Sequence, residues 1–170
     1  TINVNITVRG SDDQAVAQGD VGEIAIAHQG LGAVAFWRRP DLTASSIRNG
    51  WFYTGDLGRF DAQGYLHIVG RNKDMIITGG FNVYPNEVEQ VIWAHPAVQD
   101  CAVIGVPDAQ WGEAVKAVVE LNAGQSVSAE ELIALCKEKL GSVKAPKTVD
   151  FVESLPRSPV GKVLKKDLRQ

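Results

Sequence analysis

Ten of the 17 glycines fall within the first 70 of the chain's 170 residues. Glycine serves tight turns and weakens the interiors of helices and strands, so this stretch favours short strands joined by turns. Ile2–Val8 alternates in polarity, Ser11-Asp12-Asp13 reads as a turn, and Val21–Ala27 as the next strand. A short helix is expected over Leu42–Ile47. Arg48-Asn49-Gly50 then turns the chain into Trp51-Phe52-Tyr53, and Asp61-Ala62-Gln63-Gly64 turns it into Tyr65–Val69. Strands this short and half polar need further packing for full burial.

From residue 75 the pattern changes. Met75–Thr78 reads as a strand broken by Gly79-Gly80. Pro85 suits a first helical position, and Val88, Val91 and Ile92 give one apolar face before His95-Pro96 ends the helix. Val98–Val106 and Val115–Leu121 read as strands. Ser128 with Glu131 forms a capping-box pattern for a helix that Gly141 ends, and Val149–Val152 reads as a last strand. The fold class expected is α+β: a small β-rich subdomain over 1–70, then a compact sheet-plus-two-helices domain over 71–170. The joint falls near Gly70–Asp74 with no low-complexity linker.

Composition excludes several classes. Apolar residues make up 45% and charged residues 22%, against disorder or a coiled coil. No apolar run approaches the roughly 20 residues of a membrane-spanning helix, and a signal-peptide profile is absent, so a cytoplasmic chain is expected. Cys101 and Cys136 offer neither a disulfide framework nor a metal-ligand spacing, so no metal site is expected. Residues 1–136 carry 8 Lys/Arg against 16 Asp/Glu, whereas 137–170 carry 9 against 4. An acidic body with a basic tail suits an anionic partner. Nucleic acid is not expected, because the tail's one aromatic, Phe151, gives no stacking platform. Thr1 is not Met, and the chain is expected to be part of a longer one.

Two patterns are set aside. Gly30-Leu31-Gly32-Ala33-Val34-Ala35 spells a loose dinucleotide fingerprint, but no receiving helix fits before Pro40. Asn5-Ile6-Thr7 is a glycosylation sequon without a secretory signal. Four segments carry more. Gly50–Gly58 sets Asp56 between glycines on a turn, as a turn former or as an acceptor for ribose hydroxyls. Gly70–Glu89 packs Arg71, Lys73 and Asp74 onto the joint, where the plain reading is a surface hairpin with solvated charges. Pro107–Glu113 puts Trp111 in a polar turn, covering a core edge or stacking on a ligand. Leu155–Leu168 carries Lys162 after Gly161 in a Pro-bounded loop.

Together, in this order and spacing, the segments resemble the AMP-forming acyl-CoA synthetases of the adenylate-forming superfamily, and most closely the medium- and long-chain fatty acid CoA ligases. The carrying strings are Gly80-Phe81-Asn82-Val83-Tyr84-Pro85-Asn86-Glu87-Val88-Glu89, Gly112-Glu113-Ala114-Val115-Lys116 and Val160-Gly161-Lys162-Val163-Leu164. The resemblance covers most of the chain and is strongest from Gly50 to Leu168. It implies that 1–70 ends a large N-terminal domain and that 71–170 is the mobile C-terminal domain.

It also implies roles. Asp56 matches the aspartate that holds the ATP ribose, and Arg71 an arginine on the same nucleotide. Lys162 matches the catalytic lysine of adenylation, and Lys73 the hinge about which the C-terminal domain rotates. Gly79 and Gly80 would line the pantetheine channel, with Trp111, Lys144 and Lys147 against the rest of CoA. Val143 departs from the aromatic that relatives carry before the Lys-x-Pro-Lys stretch, and Val34–Arg39 departs from the usual spacing.

The family's Ser/Thr/Gly-rich phosphate loop and the Tyr-Gly-x-Thr-Glu stretch that supplies a magnesium-binding glutamate do not occur in these residues. ATP/AMP and CoA are the expected cofactors, with Mg2+ held by an N-terminal part of the same enzyme. That part, a fatty acid and CoA are the expected partners, and a homodimer is allowed by analogy. The chain alone is expected to be inactive. Alternatives are the C-terminal part of a carrier-protein-loading adenylation domain, or a non-catalytic nucleotide- or CoA-binding module.

Overall fold

The computed structural model describes residues 4–27 and 36–169. The loose fingerprint at 30–35, the start of the Ile2–Val8 strand and part of Val34–Arg39 lie outside the described residues. The chain divides into two compact units, Thr1–Lys73 and Asp74–Gln170.

The first unit is an antiparallel sheet of five strands: β1 (Ile6–Arg9), β2 (Gly22–Ala27), β3 (Ile47–Arg48), β4 (Trp51–Phe60) and β5 (Leu66–Arg71), with one short helix, α1 (Pro40–Ser46). β4 pairs with β2 along one edge, and β3 and β5 share the other. Asn49 and Gly50, at φ 49° and 78°, make the two-residue turn that pairs Arg48 with Trp51. Asn-Gly tolerates this left-handed geometry, whose twist matches that of the strands. Val8, Ile24, Ala25, Tyr53 and Leu57 form a small buried centre.

In the second unit, β6 (Ile76–Thr78) and β7 (Phe81–Val83) precede α2 (Pro85–Trp93), β8 (Val98–Asp108), β9 (Gly112–Leu121), α3 (Ala129–Leu140) and β10 (Thr148–Val152). The sheet is mixed: β8 runs antiparallel to β9 along its whole length, while β10 pairs parallel to β9. Both faces are covered. Val88 and Ile92 of α2 and Leu132 and Cys136 of α3 pack on Cys101, Val103, Val115, Ala117 and Val119. On the opposite face the C-terminal segment lays Leu155, Val163 and Leu168 on Ala102 and Val118. Double coverage explains why Cys101–Val106 is an unbroken apolar run instead of an alternating one. Each such side chain buried contributes roughly 1.5–3 kcal/mol.

The α+β reading holds, with local corrections. Gly79-Gly80 breaks the strand as expected, and at φ 57° and 83° the two residues form the turn of a β6–β7 hairpin, a strand pair the sequence did not suggest, with Thr78 opposite Phe81. The capping box of α3 is half made. Ser128 Oγ accepts the Glu131 N–H at 3.1 Å, but the Glu131 carboxylate faces His95 Nε2 at 3.4 Å. At α2 the other half forms: the Tyr84 N–H donates to Glu87 Oε1 at 3.2 Å, while the Glu87 N–H donates to the Tyr84 carbonyl.

Candidate functional site

Asp56 does not lie on a turn. It sits inside β4, on a bulge where three residues, Thr54, Gly55 and Asp56, stand opposite Ile24 alone, between the pairs Ala25–Tyr53 and Glu23–Leu57. Gly55 takes φ 78° there. The displaced ladder bonds are replaced by side chains: Thr54 Oγ1 donates to the Ile24 carbonyl at 3.0 Å, and the Gly55 N–H donates to Glu23 Oε1 at 3.0 Å. A bulge re-aims its side chains away from the strand's alternation. Here it leaves Asp56 in register with Arg71 of β5, with Asp56 Oδ1 and Arg71 Nε 2.9 Å apart. Arg71 is 58% exposed and Asp56 31%, so the pair holds its geometry while keeping polar edges free for a ligand. Beside it, Thr54, Gly55, Arg71, Asn72 and Lys73 line an open cavity of about 390 Å³. Lys73 lies in a 3-10 turn over Asn72–Asp74, and the division between the compact units falls immediately after it.

The second unit brings Gly79 and Trp111 together. The Gly79 N–H donates to the Trp111 carbonyl at 2.9 Å, and a Cβ on Gly79 would stand 2.6 Å from Cε3 of the indole. Asp108 Oδ1 shapes the Trp111 turn by accepting the N–H groups of Gln110 and Trp111. Glu113, a motif residue given no role by sequence, fastens the hairpin by accepting the Ile77 N–H at 2.7 Å.

Of the basic residues, Lys144 is ion-paired with Glu87 at 2.7 Å, whereas among the described residues Lys147 Nζ donates to the Ser142 carbonyl alone. Val143 is exposed. Lys162 is exposed at the end of a tight turn. The Gly161 N–H donates to the Ser158 carbonyl, the Ser158 N–H to the Lys162 carbonyl, and the Lys162 N–H to Ser158 Oγ. Gly161 sits at φ 81°.

Sequence reasoning missed the support under this turn. Arg157 donates to Asp100 and to the Gly161 carbonyl, and lies 3.7 Å from Glu120. The Asp100 carboxylate holds its guanidinium above the ordinary pKa. Glu120 is buried and accepts the Leu155 N–H at 3.0 Å and Gln99 Nε2 at 2.7 Å. The available signal was a single acid inside the apolar run Val118-Val119-Glu120-Leu121. The two cysteines have no place in either group. Burial pushes the Cys101 thiol up to about 12 and that of Cys136 to about 11.

Among the described residues no group of three or more His, Cys, Asp or Glu stands together as a metal site, and no helix is long and apolar enough to cross a membrane.

Comparison with known proteins adds the following. Residues 87–162 match the AMP-binding enzyme C-terminal domain. The chain is 42% identical over 166 residues to a feruloyl-CoA synthase from Amycolatopsis sp, covering 98% of this chain and 34% of that protein. It is 45% identical over 158 residues to a long-chain-fatty-acid–CoA ligase of Escherichia coli O157:H7, covering 93% of this chain and 28% of that one. Among solved structures it is similar to ATP-bound MatB from Rhodopseudomonas palustris, with a TM-score of 0.89 and 43% identity over 98% of this chain and 33% of that one. The chain thus spans about a third of the length of the relatives it matches.

Proposed function

We infer that the chain, whose residues 87–162 match the AMP-binding enzyme C-terminal domain, works as the C-terminal portion of an ATP-dependent acyl-CoA ligase. In the reaction proposed, a carboxylate attacks the α-phosphorus of ATP and pyrophosphate leaves; CoA then displaces AMP from the acyl-adenylate to give a thioester. The acyl group proposed is of the fatty class, supported by the long-chain ligase among the relatives.

The observation that carries this reading is the bulge that sets Asp56 against Arg71 at 2.9 Å beside an open cavity. A carboxylate fixed by an arginine, with its remaining lone pairs free, suits a pair of ribose hydroxyls. The Arg71 side chain is exposed, which leaves its guanidinium within reach of a nucleotide. Lys162 is proposed to bridge the attacking carboxylate and the phosphoryl oxygens, where an ammonium offsets charge that grows in the transition state. Its support is a turn held by three hydrogen bonds, which fixes the backbone while the side chain stays exposed.

Lys73 is proposed as the hinge between the adenylation and thioester steps. Its place at the division between two compact units supports this, since few residues must then absorb the dihedral change. Gly79 and Gly80 are proposed for the pantetheine arm, Trp111 for the nucleotide end of CoA, and Lys144 and Lys147 for its phosphates. Magnesium and the acyl pocket are assigned to residues outside this chain.

The test is carboxylate-dependent exchange of pyrophosphate into ATP. The chain alone is expected to show none, and the chain joined to the upstream portion of a full-length ligase is expected to show it. Exchange by the chain alone would overturn the reading. In the joined protein, Lys162→Ala is expected to abolish most adenylation and to spare thioester formation from preformed acyl-adenylate.

A further inference from the structure

Asp100 of β8 and Glu120 of β9 are direct cross-strand partners in the sheet of the second unit. Two acids facing each other across a ladder repel and weaken it, and Glu120 is also buried, which adds a desolvation cost. Sheet stability alone gives no reason for such a pair. The one cation within reach of both among the described residues is Arg157, which bonds Asp100 and lies 3.7 Å from Glu120. The same guanidinium donates to the carbonyl of Gly161, the residue before Lys162. Glu120 also accepts the Leu155 N–H, where the segment leaves the sheet, and Gln99 Nε2 closes the network.

We propose that Asp100 and Glu120 form a socket for Arg157, and that Glu120 and Arg157 are positioning residues that fix the backbone presenting Lys162. The proposal rests on the reading of Lys162 as the adenylation lysine. The socket grips the loop at two points, Leu155 and Arg157, and passes the constraint to Gly161 through one guanidinium. Apolar contact of Leu155 and Val163 with Ala102 and Val118 holds the loop on the sheet face but does not fix the direction of the turn. The charged socket supplies that direction, because a guanidinium accepts partners only in its own plane. Neither residue needs to touch substrate. An error of about 1 Å in the placement of a catalytic group costs on the order of a hundredfold in rate.

The experiment uses a full-length ligase carrying this chain, with Glu120→Gln and Arg157→Gln made separately. Arg157 is partly exposed, so its variant reports even where the buried substitution prevents folding. Amide exchange at Ser158, Gly161 and Leu164 is measured together with the two half-reactions. Both variants are expected to raise exchange at these amides and to lower kcat of adenylation about tenfold or more. KM for ATP and the thioester half-reaction should stay within about twofold. Unchanged exchange in the loop, or equal losses in both half-reactions, would overturn the socket. Lys162→Ala run in parallel separates the two readings. If that variant keeps adenylation, the role of Lys162 fails, and the exchange data alone then decide whether the socket holds the turn.

Discussion

Gly79 lies beneath the indole of Trp111, so close that a methyl group on its Cα would fall 2.6 Å from ring atom Cε3. The residue also holds φ 57°, which L side chains rarely adopt. Gly79→Ala is therefore expected to cost about 1–3 kcal/mol from backbone strain and overpacking together. Urea unfolding of the chain checks this. Loss should be smaller in a Trp111→Ala background, where the steric part is gone, and an equal loss there would assign the whole cost to the backbone.

The Asp56–Arg71 pair is open to solvent, and exposed pairs contribute little to stability, about 0–1 kcal/mol. Asp56→Asn should leave Tm almost unmoved while weakening nucleotide binding in the full-length ligase about tenfold, the loss of roughly one charge-assisted hydrogen bond pair. Titration calorimetry with AMP separates the two effects. A large drop in Tm with unchanged affinity would make the pair a structural strut.

Cys101 and Cys136 are buried, with thiols pushed up to about 12 and about 11 from the ordinary value near 9. A folded-state pKa raised this way favours the protonated form. The stability it contributes is fully present below pH ~9 and is lost as pH rises through the interval to the folded values. At pH 8 neither thiol should react with a disulfide reagent in the native protein, and both should react in denaturant. Alkaline unfolding should begin above pH ~9 and be delayed by Cys101→Val.

Lys144 is already paired with Glu87 at 2.7 Å, whereas among the described residues Lys147 meets a backbone carbonyl and no carboxylate. If both serve the phosphates of CoA, Lys147→Ala should raise KM for CoA more than Lys144→Ala does, since Lys144 must first leave a carboxylate. Steady-state kinetics at low and high salt checks the order, and the difference should shrink with salt.

Where the governing chemistry is local, sequence revealed the structure. Asn49-Gly50, the Asp61–Gly64 turn, Ser128 and Gly141 each act within a few residues, and each was readable. The strand β7 was not, because three residues behind a Gly-Gly pair carry no periodicity. The bulge at Thr54–Asp56 was read as a turn because a bulge exists only relative to the register of β2, which lies about 30 residues away. The socket under Lys162 was hidden for the same reason. Glu120 meets Gln99 across 21 residues and Leu155 across 35, and composition shows only an acid among valines.

The antiparallel pairing of β8 with β9 needs only a short loop to close, while β10 joins β9 in parallel after a helix has intervened. Contacts between distant residues form more slowly than local ones, since more chain must be ordered first. The β8–β9 hairpin is thus expected to gain protection early in refolding, with the segment that carries Lys162 settling last; pulse-labelled amide exchange would reveal the order. In a ribosome-bound chain the same sequence of events would leave the turn at Lys162 unsettled until synthesis had passed β10.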